Sequence, residues 1–232
     1  MPPKRLAYAQ ALRETFTEAE SCAVVERWAT EAVGHLERVA QHAAVQYASV
    51  QEAAYTSGNV NQTPAGIMSV IRDYQSLCLG VYRDAEVVRT VVSVRLPEIK
   101  EEDNLGVAVQ HAIVRMLDEL QNKTLGNGGS GEKNSGVKAQ TGVYALREYL
   151  EARSGVEEKL LGKPGDGNEK AKESSKSPSL LLELRQVDAD ALLKVELSAM
   201  QLVSSMRSFI NAYALNWKKL IEPRTGGDRM VS

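Results

Sequence analysis

Apolar residues recur along most of the chain at steps of three and four, which is the spacing of helices that bury one face. In the first part of the chain two such stripes are separated at Gly58, and Thr63-Pro64 offers a cap and a first-turn proline for the second. We therefore predict helices over about residues 4–56 and 64–96. The apolar positions of the two stripes are Trp28, Ala32, Leu36, Val39, Ala43, Tyr47, Val50 and Ala54, then Ile67, Val70, Tyr74, Leu77, Val81, Ala85, Val88 and Val92.

The strongest periodic signal lies near the C-terminus, where apolar residues keep the helical period without a miss. Ser177 and Pro178 suit the start of this helix and Pro223 stops it, so we predict a helix over about residues 178–222. At about 1.5 Å per residue it is roughly 65 Å long. Its apolar positions are Leu184, Val187, Ala191, Val195, Ala199, Leu202, Met206, Phe209, Tyr213, Trp217 and Leu220.

The third helical pattern is interrupted. It covers residues 105–125, gives way to a Gly-, Ser-, Asn- and Lys-rich stretch over 126–142, and resumes over 143–161, before a second polar stretch over 162–177. Alone, the first part would span only about 30 Å and leave much of its neighbours uncovered. Because the two parts together restore a matching length, we interpret the first polar stretch as a flexible excursion inside one helix. The predicted fold is all-α, a single domain over residues 1–232 that forms an up-down-up-down four-helix bundle.

A short loop over residues 97–106, here called the connecting loop, joins the second and third helices. Pro97 stops the helix before it, Asn104 suits the cap of the next, and Gly106 allows close backbone approach. With four passes, this loop and the C-terminus lie at one end of the bundle. Two interpretations remain, a solvated connector or a stiff acidic loop presented to a partner. The loop consists of Pro97, Glu98, Ile99, Lys100, Glu101, Glu102, Asp103, Asn104, Leu105 and Gly106.

Composition and charge narrow the function classes. Only 5% of the residues are aromatic, which suits packed helices better than sheets. The net charge of −2 favours neither nucleic acid nor a membrane as a partner. Cys22 and Cys78 are too few for a disulfide framework, and neither a signal peptide nor an apolar run of roughly 18–20 residues is visible. We expect an intracellular protein of the cytoplasm, with the nucleus left open.

No motif argues for catalysis, so the chain is not predicted to be an enzyme. Residues 126–131 satisfy G-x-G-x-x-G, but they follow a helix instead of a strand, so we do not interpret them as a nucleotide site. His35, His42 and His111 occur without an H-E-x-x-H motif or a Glu-x-x-His pair. We therefore predict no metal ligands and no cofactor.

The final helix also carries a second apolar row. A helix that is apolar on more than one face is usually packed on several sides, so this row favours lateral self-association through an interface of about 1,000 Å² or more. Tyr213 and Trp217 lie on the main stripe and are interpreted as core residues. The second row includes Leu192, Leu197, Val203 and Ile210.

Seven blocks of sequence together carry a resemblance to a known family. They read MPPKR at 1–5, DNLGVAVQ at 103–110, YALREYL at 144–150, SPSLLLEL at 177–184, NAY at 211–213, NWKKLI at 216–221 and PRTGG at 223–227. With them the chain resembles the 11S (REG) proteasome activators, most closely the kinetoplastid-type members. The similarity covers essentially the whole chain, and the number of blocks makes it specific.

The resemblance implies a homoheptameric ring of four-helix bundles that activates the 20S proteasome without ATP. In that family the C-terminal tails enter pockets between α subunits, and the activation loops displace turns at the pore so that the gate opens. The connecting loop corresponds to the activation loop, with Glu101 as the acid that contacts the turn. The C-terminal tail, residues 223–232, contains the implied docking residues Asp228, Arg229, Met230, Val231 and Ser232.

The sequence departs from the wider family at two places. The connector between the first two helices is short and lacks the Lys- and Glu-rich insert of the animal members. Glu102 stands where a small residue is usual, so either Glu101 or Glu102 could be the acid that acts on the gate. The alternative function is a helical scaffold without gating activity, and a third class, a bundle enzyme with a metal centre, would require bound metal.

Overall fold

The computed structural model of the chain describes residues 4–97, 105–126, 142–161 and 177–223. Within these ranges every regular element is helical, which confirms the all-α prediction. None of the described helices combines the length and apolar character needed to cross a lipid bilayer. The elements are α1 (Lys4–Thr15), α2 (Glu18–Arg27), a π-helical turn (Trp28–Ala32), α3 (Val33–Glu52), α4 (Ser57–Val60), α5 (Ala65–Ser93), α6 (Leu105–Leu125), α7 (Ala145–Leu161) and α8 (Pro178–Ile221).

Four helical passes pack side by side as an antiparallel bundle. The first pass is α2, the π-helical turn and α3; the second is α5; the third is α6 with α7; and the fourth is α8. The first and fourth passes run in opposite directions, because Ser21 meets Tyr213 at 2.5 Å whereas Glu37, further along, meets Arg207 at 2.7 Å. The predicted up-down-up-down bundle is confirmed.

The third pass is one helix with an interruption, as the length comparison predicts. Hydrogen bonds from Gln110 on α6 and Tyr149 on α7 reach successively earlier positions on α8, so both parts run the same way. The chain also returns to the place it left, because the Val143 backbone N–H donates to the Thr124 carbonyl at 2.9 Å. Residues 127–141, and nearly all of the second polar stretch, lie outside the described ranges.

The first pass differs from the single helix predicted over about residues 4–56. The helix breaks at Phe16, and Thr17 starts α2 with a capping box. The Thr17 hydroxyl accepts from the Glu20 backbone N–H at 3.3 Å, and the Glu20 carboxylate accepts from the Thr17 backbone N–H at 3.0 Å. Apolar spacing continues on both sides of the break, so periodicity alone misses it, whereas the Thr-x-x-Glu pattern marks it.

The predicted stripes form the core, except for Ala54, which is exposed because α3 ends at Glu52. Trp28 is fully buried, packs edge-to-face on Phe209 with ring centroids 5.6 Å apart, and donates its indole N–H to Asp84 at 2.9 Å. Tyr213 is buried, and Trp217 packs partly buried beside it, as the core interpretation requires. Burial raises the pKa of the Cys78 thiol to about 12, so this residue stays a protonated, unreactive part of the core.

A buried ion pair closes the end of the bundle opposite the connecting loop. Arg153 and Asp188 are 1% and 0% exposed, and their side chains meet at 2.5 Å. The hydroxyls of Tyr55 and Tyr149 donate to the same carboxylate at 2.6 and 2.8 Å, while Arg153 also donates to the Asn59 carbonyl at 2.6 Å. Burial alone would lower the pKa of Arg153, but its hydrogen bonds to Asp188 raise it overall, so the guanidinium stays charged. Removing one partner of such a pair costs about 3–5 kcal/mol, so this network fixes how α7, α8 and the first connector meet.

Candidate functional site

The sequence singles out two segments, the connecting loop and the C-terminal tail. The structure describes the residues at which each of them joins the bundle. Of the connecting loop, Pro97, Leu105 and Gly106 lie in the described ranges, and of the C-terminal tail only Pro223 does. We call the described residues at which these segments leave the helices the loop start (94–97), the loop end (105–106) and the tail base (221–223). The predicted residues outside the described ranges are Glu98, Ile99, Lys100, Glu101, Glu102, Asp103 and Asn104 of the loop and Asp228, Arg229, Met230, Val231 and Ser232 of the tail.

The loop end lies directly against the tail base. Gly106 is buried in the first turn of α6, and a Cβ atom placed on it would overlap the Pro223 carbonyl oxygen and lie 2.7 Å from the Pro223 Cα. Only glycine therefore allows the two backbones to approach this closely. Leu105, one residue earlier, is 69% exposed, so the chain turns from solvent into this contact within a single residue.

A single buried amide joins the loop start to the same place. Gln110 is 0% exposed, and its Nε2 donates to the Leu220 carbonyl at 2.7 Å and to the Arg95 carbonyl at 3.3 Å. Both partners are acceptors, and this fixes the orientation of the amide, because the flipped form would set its oxygen against two carbonyl oxygens. One side chain thereby connects the end of α5, the first turns of α6 and the end of α8.

The corner between α1 and α2 holds the loop start from the other side. Arg95 is 8% exposed and donates to the Phe16 carbonyl at 3.0 Å, to the Val91 carbonyl at 2.8 Å and to Glu18 at 3.3 Å. Arg13 donates to the Val94 carbonyl at 3.0 Å. The last carbonyls of a helix lack partners within it, and cations near a helix C-terminus are favourable, so these arginines complete the end of α5.

A groove of about 620 Å³ separates α1 from the loop start and the tail base. Side chains of both charges line it. The charged and polar lining residues are Gln10, Arg13, Glu14, Glu18, Arg95 and Glu222.

The other candidate residues are not gathered into a site. His35 and His42 lie beside Arg38 and Asp73 on a shallow surface between α3 and α5. Among the residues that the structure describes, no group of three His, Cys, Asp or Glu side chains is placed to hold a metal ion. The sequence did not single out Arg13, Arg95 or Gln110. For Gln110 a signal existed, since it falls at helical spacing with Gly106 and Ile113 on the buried face of α6.

The chain is similar to known proteins over nearly its whole length. The family described as proteasome activator PA28, C-terminal, matches residues 60–148. A chain in the structure of a proteasome–11S activator complex and one in an archaebacterial 20S proteasome–PA26 complex are each 50% identical, with TM-scores of 0.83 and 0.84; each match covers 98% of this chain and 100% of the other. No curated protein sequence matches.

Two further structures extend the comparison. A chain in the complex of the yeast 20S proteasome with PA26 from Trypanosoma brucei is 39% identical, with a TM-score of 0.75 and coverage of 97% of this chain and 100% of the other. The 11S subunit PA28 of Plasmodium falciparum is 13% identical, with a TM-score of 0.57 and coverage of 93% and 95%, and this match shows a shared fold alone.

The contact between Gly106 and Pro223 gives the first prediction. We expect Gly106→Ala to lower the free energy of unfolding by about 1–3 kcal/mol, because the added methyl group overlaps backbone that has no room to move. Gly80→Ala in α5 is the matched control, since its Cβ would meet nothing within 4 Å. The control should gain about 0.5–1 kcal/mol from the lower entropy of alanine in the unfolded chain. Urea denaturation of the two variants measures both values, and a Gly106→Ala protein as stable as Gly80→Ala would contradict the close contact.

Proposed function

The chain belongs to the 11S family of proteasome activators, and we propose that it opens the gate of the 20S proteasome without ATP. The observation that carries this proposal is the meeting of the loop start, the loop end and the tail base at one end of the bundle. A protein that must both attach to a pore and act on it needs its two contact segments on a common face. A chain that is 50% identical to this one forms part of a complex between an archaebacterial 20S proteasome and PA26.

The C-terminal tail supplies attachment in the proposed mechanism. Capture of a carboxyl terminus by backbone groups and a cation is an established recognition mode, and Asp228 to Ser232 would provide the ligand. A single tail binds weakly, because ordering a free segment costs roughly 1–2 kcal/mol per residue. Several tails on one ring make the later contacts intramolecular and raise avidity by about 10²–10⁴.

The connecting loop supplies the bias toward the open gate. A ligand shifts a conformational equilibrium only as far as it binds the two states differently, so the loop must contact the open arrangement better than the closed one. Glu101 is the proposed contact, with Glu102 as the neighbouring candidate. In this division of roles the protein regulates access and performs no chemistry itself.

The ring that avidity requires is also a proposal, and the structure offers a surface for it. Leu192 and Val203 of the second apolar row are 0% and 5% exposed and belong to the core of one chain. Leu197 and Met200 are instead 50% and 56% exposed, and Met200 lines a groove of about 510 Å³ between α3 and α8. We propose that this apolar part of the outer face packs against the next copy.

The predicted assembly is tested by native mass. We expect the purified chain to run as a complex of about seven copies, the number that the family resemblance implies, because each copy exposes apolar area on α8 that a neighbour would cover. Native mass spectrometry or light scattering measures this directly. A monomer or dimer at micromolar concentration would instead favour the alternative function, a helical scaffold without gating activity.

Deleting Met230, Val231 and Ser232 should abolish binding to the 20S proteasome, because it removes three of the proposed docking residues and moves the terminal carboxylate back to Arg229. Adding one glycine after Ser232 is the matched variant, since it keeps every residue and only displaces the terminal carboxylate. Both proteins should keep the native mass and thermal stability of the parent and lose co-sedimentation with the proteasome. Retained co-sedimentation of the truncated protein would show that the tail is not the anchor.

Replacing Glu101 by Ala should leave binding intact and lower the stimulation of fluorogenic-peptide hydrolysis, because the loop loses its proposed contact with the gate. Glu102→Ala, one position later, is the control and should stimulate normally. Loss of stimulation in Glu102→Ala alone would transfer the role to that residue. Full stimulation by both variants and by their combination would rule out an acid of this loop as the gating contact.

The compartment stays a prediction. Cys22 and Cys78 are both free thiols, which suits the reducing cytoplasm in which we expect the protein to act. Subcellular fractionation into cytoplasm and nucleus, followed by immunodetection of the protein in each fraction, would decide between the two compartments.

A further inference from the structure

We propose that Arg95 is a positioning residue for gate opening: it ties the loop start to the α1–α2 corner and thereby sets the direction in which the connecting loop leaves the bundle. The proposal rests on the function proposed above and deepens it. Arg95 lies two residues before Pro97 and is not expected to touch the proteasome, because its side chain is 8% exposed. Its effect would pass through the loop.

The contacts of Arg95 explain how the direction is set. Helix α5 ends at Ser93, and short backbone turns continue it to Leu96, whose N–H donates to the Ser93 carbonyl at 3.2 Å. The carbonyls of Val94 and Arg95 at the loop start accept instead from side chains of other helices. The guanidinium bridges the carbonyls of Val91, behind it in the chain, and Phe16, across the corner, while Glu18 accepts from its Nε. A planar group with fixed donor directions holds several acceptors in one geometry, which a flexible ammonium does not.

Both faces of the loop start are held. Gln110 donates to the Arg95 carbonyl on one side, and Arg13 donates to the Val94 carbonyl on the other. Two consecutive peptide groups are therefore fixed immediately before Pro97, whose ring further restricts the chain. A loop whose ends are already ordered loses less entropy when it contacts the gate, so more of its contact energy remains to favour the open state.

A purely structural arginine would behave differently. Loss of a structural contact lowers stability, and any fall in activity then follows the fraction of unfolded protein. Loss of a positioning contact lowers the maximal stimulation of folded, fully bound activator. Measuring the half-saturating concentration and the maximal stimulation separately therefore distinguishes the two roles. The half-saturating concentration reports attachment, which the unchanged C-terminal tail governs, and the maximal stimulation reports the action of the bound loop.

The test compares Arg95→Met with the parent protein in a titration of latent 20S proteasome with fluorogenic peptide and no ATP. Methionine keeps the apolar stem and removes all three described hydrogen bonds. We expect the half-saturating concentration to stay within about threefold and the maximal stimulation to fall by about tenfold, as the loop spends most of its time in other directions. Arg13→Met, at an exposed position with one contact to the loop start, should show a smaller fall of the same kind and keeps the test valid if Arg95→Met folds poorly.

Tyr55→Phe is the stability control. It removes one hydrogen bond to Asp188 at the opposite end of the bundle, so it destabilises the fold without reaching the loop start. Its maximal stimulation should equal that of the parent at a temperature where both proteins are folded.

Each outcome decides one question. Parental maximal stimulation in both Arg95→Met and Arg13→Met overturns the positioning role, and so does an equal loss in the arginine variants and in Tyr55→Phe. A rise in the half-saturating concentration alone would assign Arg95 to attachment and likewise overturn the proposal. If the parent protein itself fails to stimulate the proteasome, the proposed function is wrong, and this inference falls with it.

Discussion

The arrangement of this protein depends on the buried amide of Gln110. Its two donors reach the carbonyls of Arg95 and Leu220, and its own helix begins five residues earlier beside Pro223. Helix, loop and terminus are thereby tied at one point, although they are far apart in sequence. Buried polar groups specify geometry because leaving them unpaired costs free energy. If α5 or α8 slid by one turn, the Gln110 amide would lose the Arg95 or the Leu220 carbonyl as its partner.

The opposite end of the bundle is also fixed by buried polar groups, in this case a pair of opposite charges. Arg153 and Asp188 join α7, α8 and the connector between α3 and α5, and a large cluster of buried apolar side chains fills most of the bundle between the two ends. Apolar packing alone tolerates small shifts of one helix along another, whereas a buried ion pair and a buried amide do not. The bundle is therefore fixed at both ends, so the loop start, the loop end and the tail base keep their relative positions. In the proposed mechanism, this rigidity lets a docked C-terminal tail place the connecting loop over the pore.

Sequence reasoning recovered the parts of the structure that depend on repetition. The unbroken stripe of α8 and the mismatch in helix lengths were enough to predict the bundle and its interrupted third pass. The break at Phe16 was missed because periodicity continues across it, although the Thr17 capping box marks it. Gln110 was missed because a polar residue on a helix face does not stand out when that face is recognised by its apolar positions. Arg95 was missed because its partners at Phe16 and Glu18 meet it only in the fold. The roles of the connecting loop and the C-terminal tail came from family resemblance, since their contacts involve another molecule.

A cryo-electron microscopy reconstruction of the chain bound to a 20S proteasome tests the central claim most directly. The account predicts that the end of the bundle carrying Gly106, Gln110 and Pro223 faces the α-subunit ring, with the tail in pockets between subunits and residues 98–104 at the rim of the pore. A reconstruction in which the end carrying Arg153 and Asp188 faces the proteasome, or in which tail and loop touch different surfaces, would contradict it.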